Sequence, residues 1–176
     1  RGVVGAEEHG PRAVERLETV RRALERAARA RGGLTGRLLS RLGQPRDEPV
    51  RGAYLWGGVG RGKTFLMDLF HASLAVPARR VHFHRFMHEA HQQLREARDL
   101  ADPLRRVASE MTQDCRVLCF DELFVTDVAD AMILAGLLEG VVGLGVTLVF
   151  TSNAPPRDLY RDGLQRQRFV PAIELI

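Results

Sequence analysis

The chain has 176 residues, 45% hydrophobic and 27% charged, which gives one domain of ordinary size with a real core. No apolar run approaches the roughly 18 residues of a membrane-spanning helix, so a soluble protein is expected. The net charge of +4 is spread over dispersed arginines with no aromatic-basic module, and it does not point to nucleic acid as a partner.

Arg1 to Gly10 holds no apolar stretch of signal-peptide type. Val14, Leu17, Val20, Leu24 and Ala28 then recur at helical spacing between Ala13 and Arg31, with arginine and glutamate on the other face. Gly32-Gly33 should end this amphipathic helix. The stretch from Gly32 to Gly52, with Gly36, Gly43, Pro45 and Pro49, reads as a connector with a short helical turn in it. Residues 1–50 are thus a helix and connector, and residues 51–176 a nucleotide-binding core.

The core alternates. A strand is expected at Ala53 to Trp56, a helix from Lys63 to about Leu74, a strand at Arg80 to Phe86 and a helix from about His88 to Arg98. A third strand follows at Arg116 to Phe120, then a helix from about Val128 to Leu138 and a fourth strand at Val146 to Thr151. Strands alternating with helices predict an α/β fold with a parallel sheet covered on both faces.

The glycine-rich run Gly57-Gly58-Val59-Gly60-Arg61-Gly62-Lys63-Thr64 fits the phosphate-loop pattern GxxxxGK[ST] and stands where that pattern needs to stand, after an apolar strand and at the start of a helix. Lys63 is the one lysine among 26 basic side chains, in a sequence that has otherwise drifted wholly to arginine. A compact ammonium can reach β- and γ-phosphates inside a tight backbone cradle where a planar guanidinium does not fit. Residues Gly57 to Phe65 are the expected nucleotide contacts, with the Thr64 hydroxyl a Mg²⁺ ligand.

Val117-Leu118-Cys119-Phe120-Asp121-Glu122 is an apolar strand that ends abruptly in two acids, at the place where open α/β sheets put their ligands. Asp121 is expected to hold the Mg²⁺ shell, and Glu122 to orient and deprotonate an attacking water. Two adjacent acids favour hydrolysis over transfer to a hydroxyl. The fourth strand ends in Thr151-Ser152-Asn153, and Asn153 is a candidate sensor of the γ-phosphate or the water. A guanine-reading NKxD element needs a second lysine, so adenine nucleotide is the expected ligand.

Cys115 and Cys119, four apart on an extended segment, are too far apart to be bridged and are read as free thiols in a reducing compartment. His82, His84, His88 and His91 suggest metal ligands at first, but the two pairs fall on different elements with no cysteine beside them. His84 and Arg85 are expected to line a surface near the nucleotide or a central pore. Thr126 or Asp127 should cap the helix that begins there. Trp56 is expected in the core.

The runs Leu55 to Thr64, Val81-His82-Phe83-His84-Arg85-Phe86-Met87, Cys119 to Asp127 and Asp162-Gly163-Leu164-Gln165-Arg166-Gln167-Arg168-Phe169 together resemble the ZapE/Afg-type family of AAA+ ATPases. The resemblance covers roughly Ala53 to Ile176. It implies the AAA+ form of the phosphate-loop fold, ATP with Mg²⁺, a homo-oligomeric ring and work on protein partners. Those partners are division proteins such as FtsZ at the bacterial inner membrane, or mitochondrial inner-membrane proteins in eukaryotic relatives. A cytoplasmic protein with peripheral attachment to that membrane is in keeping with it.

Arg166 and Arg168 fall where such rings place an arginine finger, with Arg168 the favoured one of the two. The sequence departs from the family pattern at Leu123, where a second phenylalanine is common, and it stops at Ile176, before the small helical lid and its sensor-two arginine. Two other classes share the same loop. A helicase-loader ATPase would act on nucleic-acid complexes, and a small-molecule kinase would pass the γ-phosphate to an acceptor.

Overall fold

The computed structural model describes residues 3–4, 10–32 and 50–176. The connector's helical turn expected from the sequence lies outside the described residues. The strands are β1 (Val3–Val4), β2 (Ala53–Trp56), β3 (Ala78–His82), β4 (Val117–Asp121) and β5 (Thr147–Ser152). They form one parallel sheet in the order β1-β2-β5-β4-β3, so the chain crosses over between each pair of neighbours. The crossovers carry helices α1 (Pro11–Gly32), α2 (Lys63–Ser73), α3 (Phe83–Glu96), α4 (Pro103–Met111) and α5 (Val128–Gly143). A last helix, α6 (Arg166–Leu175), packs on α5.

Side chains alternate across each strand, and the alternation sorts the sheet into two cores. Ala53, Leu55, Val117, Cys119 and Val149 face Met67 and Phe70 of α2 and Ala13, Leu17, Val20 and Leu24 of α1. Tyr54, Leu118, Phe120, Leu148 and Phe150 face α3, α4, α5 and α6. Phe120 and Phe150 stack with centroids 5.2 Å apart, and Phe86 meets Phe120 edge-on at 4.8 Å. Parallel pairing brings Trp56 level with Ser152 and His82 level with Asp121, so the glycine loop, the acidic corner and Asn153 all leave the sheet at its carboxyl edge.

Several boundaries differ from the sequence reading. Strand β3 ends at His82, and His84 lies in α3, so the two histidines do not share a strand face. The alternation His-Phe-His-Arg-Phe imitates a strand, but Phe83, Phe86, Met87 and Ala90 are buried at helical spacing and decide the outcome. Helix α4 was not anticipated. It starts at a proline after Asp102, whose side chain accepts from the Arg105 amide at 3.1 Å, and it lies close against α5. Glycine makes that approach feasible: a Cβ at Gly140 would come within 2.8 Å of the Ala108 Cβ. In α1 the inward residue is Ala13, whereas Val14 is half exposed and Ala28 is exposed.

Candidate functional site

The loop after β2 is held at its start by a hydrogen bond from the Gly57 amide to the Ser152 carbonyl, 3.2 Å. At its end Gly62 has φ of 75° and serves as N-cap of α2, a left-handed conformation that a side chain would strain. Lys63 opens α2, and its ammonium donates to the carbonyls of Gly57 (2.6 Å) and Gly58 (2.8 Å) and to Asn153 Oδ1 (3.0 Å). All three protons are used. Burial pulls the Lys63 pKa down, and the Glu122 charge opposes that pull.

A cleft of about 410 Å³ lies above the loop, lined by Val59 to Phe65 on one side and by Glu122, Thr151, Ser152 and Asn153 on the other. The structure therefore brings together Lys63, Thr64, Glu122 and Asn153, residues taken from three separate stretches of sequence. Asn153 is itself fixed from below, because the turn that follows it is tied by Tyr54 Oη donating to the Ala154 carbonyl at 2.8 Å.

Glu122 has φ of 55°, a left-handed conformation that a residue with an extended side chain adopts only when its surroundings impose it. The end of β5 imposes it here. The Glu122 amide donates to Thr151 Oγ1 at 3.0 Å, the Leu123 amide to the Thr151 carbonyl at 2.8 Å, and Ser152 Oγ to the Leu123 carbonyl at 2.7 Å. These bonds turn the chain sharply after Asp121 and leave the Glu122 side chain exposed at the cleft.

Asp121 is buried at the tip of β4. Its Oδ2 accepts from Arg80 Nε at 2.6 Å, while Oδ1 is buried with no hydrogen-bond partner among the described residues. A buried carboxylate oxygen without a hydrogen-bond partner suits the shell of a hard divalent cation. The residues present thus fit Mg²⁺, which Thr64 and Asp121 would hold.

Arg166 and Arg168 sit in the first turn of α6. Arg166 is spent on its own chain, donating to the carbonyls of Arg157 (2.6 Å) and Leu159 (3.3 Å). Arg168 is exposed. His84, Arg85 and His88 are exposed along α3, and His91 Nε2 lies 2.7 Å from Asp130 Oδ1. Asp127 caps α5, accepting from the Ala129 amide at 2.6 Å. Cys115 and Cys119 are buried free thiols, and burial first, then the Asp121 charge, pushes Cys119 up to about 12.

Three contributors escaped the sequence reading: Arg80, Thr151 and Tyr54. An arginine inside the strand that precedes the acidic one was the signal for Arg80. Thr151 and Tyr54 carried no such mark, since each looks like an ordinary strand residue.

The site's order along the chain has parallels. The cell division protein ZapE of Escherichia coli (strain K12) is 48% identical over 171 residues, covering 93% of this chain and 46% of that protein. Lactation elevated protein 1 homolog B of Danio rerio is 41% identical over 143 residues, covering 74% of this chain and 28% of that protein. The chain spans less than half the length of these relatives. Domain III of the Thermotoga maritima replication initiation protein DnaA superposes with a TM-score of 0.52 at 16% identity, over 87% of this chain and 58% of that one, a likeness of fold alone. The α/β core expected from the sequence, a parallel sheet with helices on both faces, is the fold found. The AFG1-like ATPase family matches residues 2–176, from the first edge strand to the last helix, and the chain belongs to that family.

Proposed function

We propose that this chain is the catalytic core of an ATPase that hydrolyses ATP with Mg²⁺ and spends the energy on remodelling a protein partner. The observation that carries the reading is the meeting of Lys63, Glu122 and Asn153 around one cleft, with the buried Oδ1 of Asp121, unpartnered among the described residues, at the tip of β4. Mg²⁺, when bound, supplies charge compensation at the phosphate oxygens.

The chain's own groups do the rest. Gly57 to Phe65 cradle the phosphates with backbone N–H groups and the dipole of α2, and Lys63 exchanges its carbonyl acceptors for phosphate oxygens. Glu122, presented by its left-handed corner, orients a water and takes its proton. Asn153 polarises the γ-phosphate or holds that water. Arg168 reaches the site of a neighbouring subunit in a homo-oligomeric ring, while Arg166 holds the loop that precedes it.

The name of the Escherichia coli relative supports a partner in cell division, and the sequence resemblance favours an FtsZ-like protein or an inner-membrane protein. No described helix is long and apolar enough to cross a membrane. Capture of partners by Glu122→Gln protein held on ATP tests the remodelling half of the reading. A partner retained with ATP and released with ADP supports it; equal retention with both nucleotides counts against it.

A further inference from the structure

We infer that Arg80 is a positioning residue for the metal-associated carboxylate: it pins Asp121 Oδ2 and so reserves Oδ1 for the Mg²⁺ shell. The inference rests on the Mg²⁺-ATP reading of the site.

Arg80 and Cys119 are paired across β3 and β4, and Asp121 follows Cys119 by two residues. Arg80 and Asp121 therefore project from the same face of the sheet, the one that α2 covers. From there the guanidinium spans two elements: Nε donates to Asp121 Oδ2 at 2.6 Å, and Nη1 donates to Asp68 Oδ1 on α2, the helix that Lys63 opens. Both the strand with the acid and the helix with the phosphate loop are thereby tied to one planar group. A fork with several donors in fixed directions can do this, whereas a lysine offers a single charged head.

The arrangement is a poor one for stability alone. Ion pairs that are buried return little net energy, and a buried oxygen left without a partner costs more. Asp121 has both features: its side chain is 8% exposed, Oδ2 is paired, and Oδ1 is buried with no hydrogen-bond partner among the described residues. The unpartnered oxygen is accounted for if a further partner belongs there. Charge agrees with this, because one guanidinium facing Asp68 and Asp121 leaves one negative charge over, and the trio still attracts a cation. Outer partners that orient a metal-associated group this way are worth roughly 10- to 100-fold in metal affinity.

The test is a titration of ATP binding at a series of Mg²⁺ concentrations and in EDTA, for the unaltered chain, Arg80→Met and Arg80→Lys. Arg80→Met should need roughly 10- to 100-fold more Mg²⁺ for half of the metal-dependent gain in affinity, with its affinity in EDTA unchanged. Arg80→Lys should recover part of the loss, since it keeps the charge on one of the two carboxylates. An unchanged Mg²⁺ requirement in either folded variant overturns the inference. So does an equal loss of affinity with and without Mg²⁺, which would make Arg80 a support of the fold. If the unaltered chain gains no affinity from Mg²⁺, the Mg²⁺-ATP reading fails, and the inference falls with it.

Discussion

Lys63 Nζ and Asn153 Oδ1 are 3.0 Å apart, which links the first residue of α2 to the turn after β5 across 90 positions of sequence. The contact exists because β2 and β5 are neighbours in a parallel sheet and both end at the same edge. Asn153 is thus held by the Lys63 ammonium, and by Tyr54 through the next residue.

Asn153→Ala should keep ATP affinity close to normal, because the glycine loop and Lys63 remain, while hydrolysis falls by ~10²-fold, the scale for losing one polarising contact. Nucleotide titration and phosphate release measure the two separately. A loss of affinity that matches the loss of rate would make Asn153 a binding residue and not a sensor.

Much of this was legible because phosphate-loop chemistry demands rare residues in fixed order. A single lysine in a glycine run, an apolar strand ending in Asp-Glu and a polar strand tip could be read without coordinates. What could not be read was tertiary. Arg80 is one arginine among many until the sheet sets it beside Asp121, and Thr151 is a strand residue until its hydroxyl receives the Glu122 amide. The β3 boundary failed for a local reason, since Val81 to Met87 satisfies a strand pattern and a helix pattern at once. Helix α4 is short, and its stability comes from packing on glycines of α5 that carry no signal by themselves.

Gly163 tests the loop ahead of α6. Its Cβ position lies 2.2 Å from the Tyr160 ring, which packs on Phe169 with centroids 5.6 Å apart and donates to the Leu164 carbonyl at 3.0 Å. Gly163→Ala must displace that ring, at a cost of about 1–3 kcal/mol, the range for overpacking. Denaturant unfolding checks it, and a midpoint equal to that of the unaltered chain would show that the loop has slack.

Arg168→Ala should bind ATP nearly normally and lose roughly 10³- to 10⁵-fold in rate if Arg168 is a finger supplied to a neighbour. Arg166→Ala should instead destabilise the loop at Arg157 and Leu159, whose carbonyls it bonds. Mixing Arg168→Ala with Glu122→Gln protein should restore some turnover, because mixed rings contain interfaces with both groups intact. Mixed oligomers as inactive as their components would assign Arg168 to its own subunit.

Whether Glu122 drives hydrolysis at a site built for ATP is read from ATP affinity measured beside phosphate release for Glu122→Gln, with Lys63→Ala as the reference for a lost cradle. Glu122→Gln should bind ATP with Mg²⁺ as tightly as the unaltered chain while releasing phosphate ~10²-fold more slowly, and Lys63→Ala should lose binding itself. Phosphate release at the normal rate from Glu122→Gln, or affinity and rate falling together, would contradict that role of Glu122.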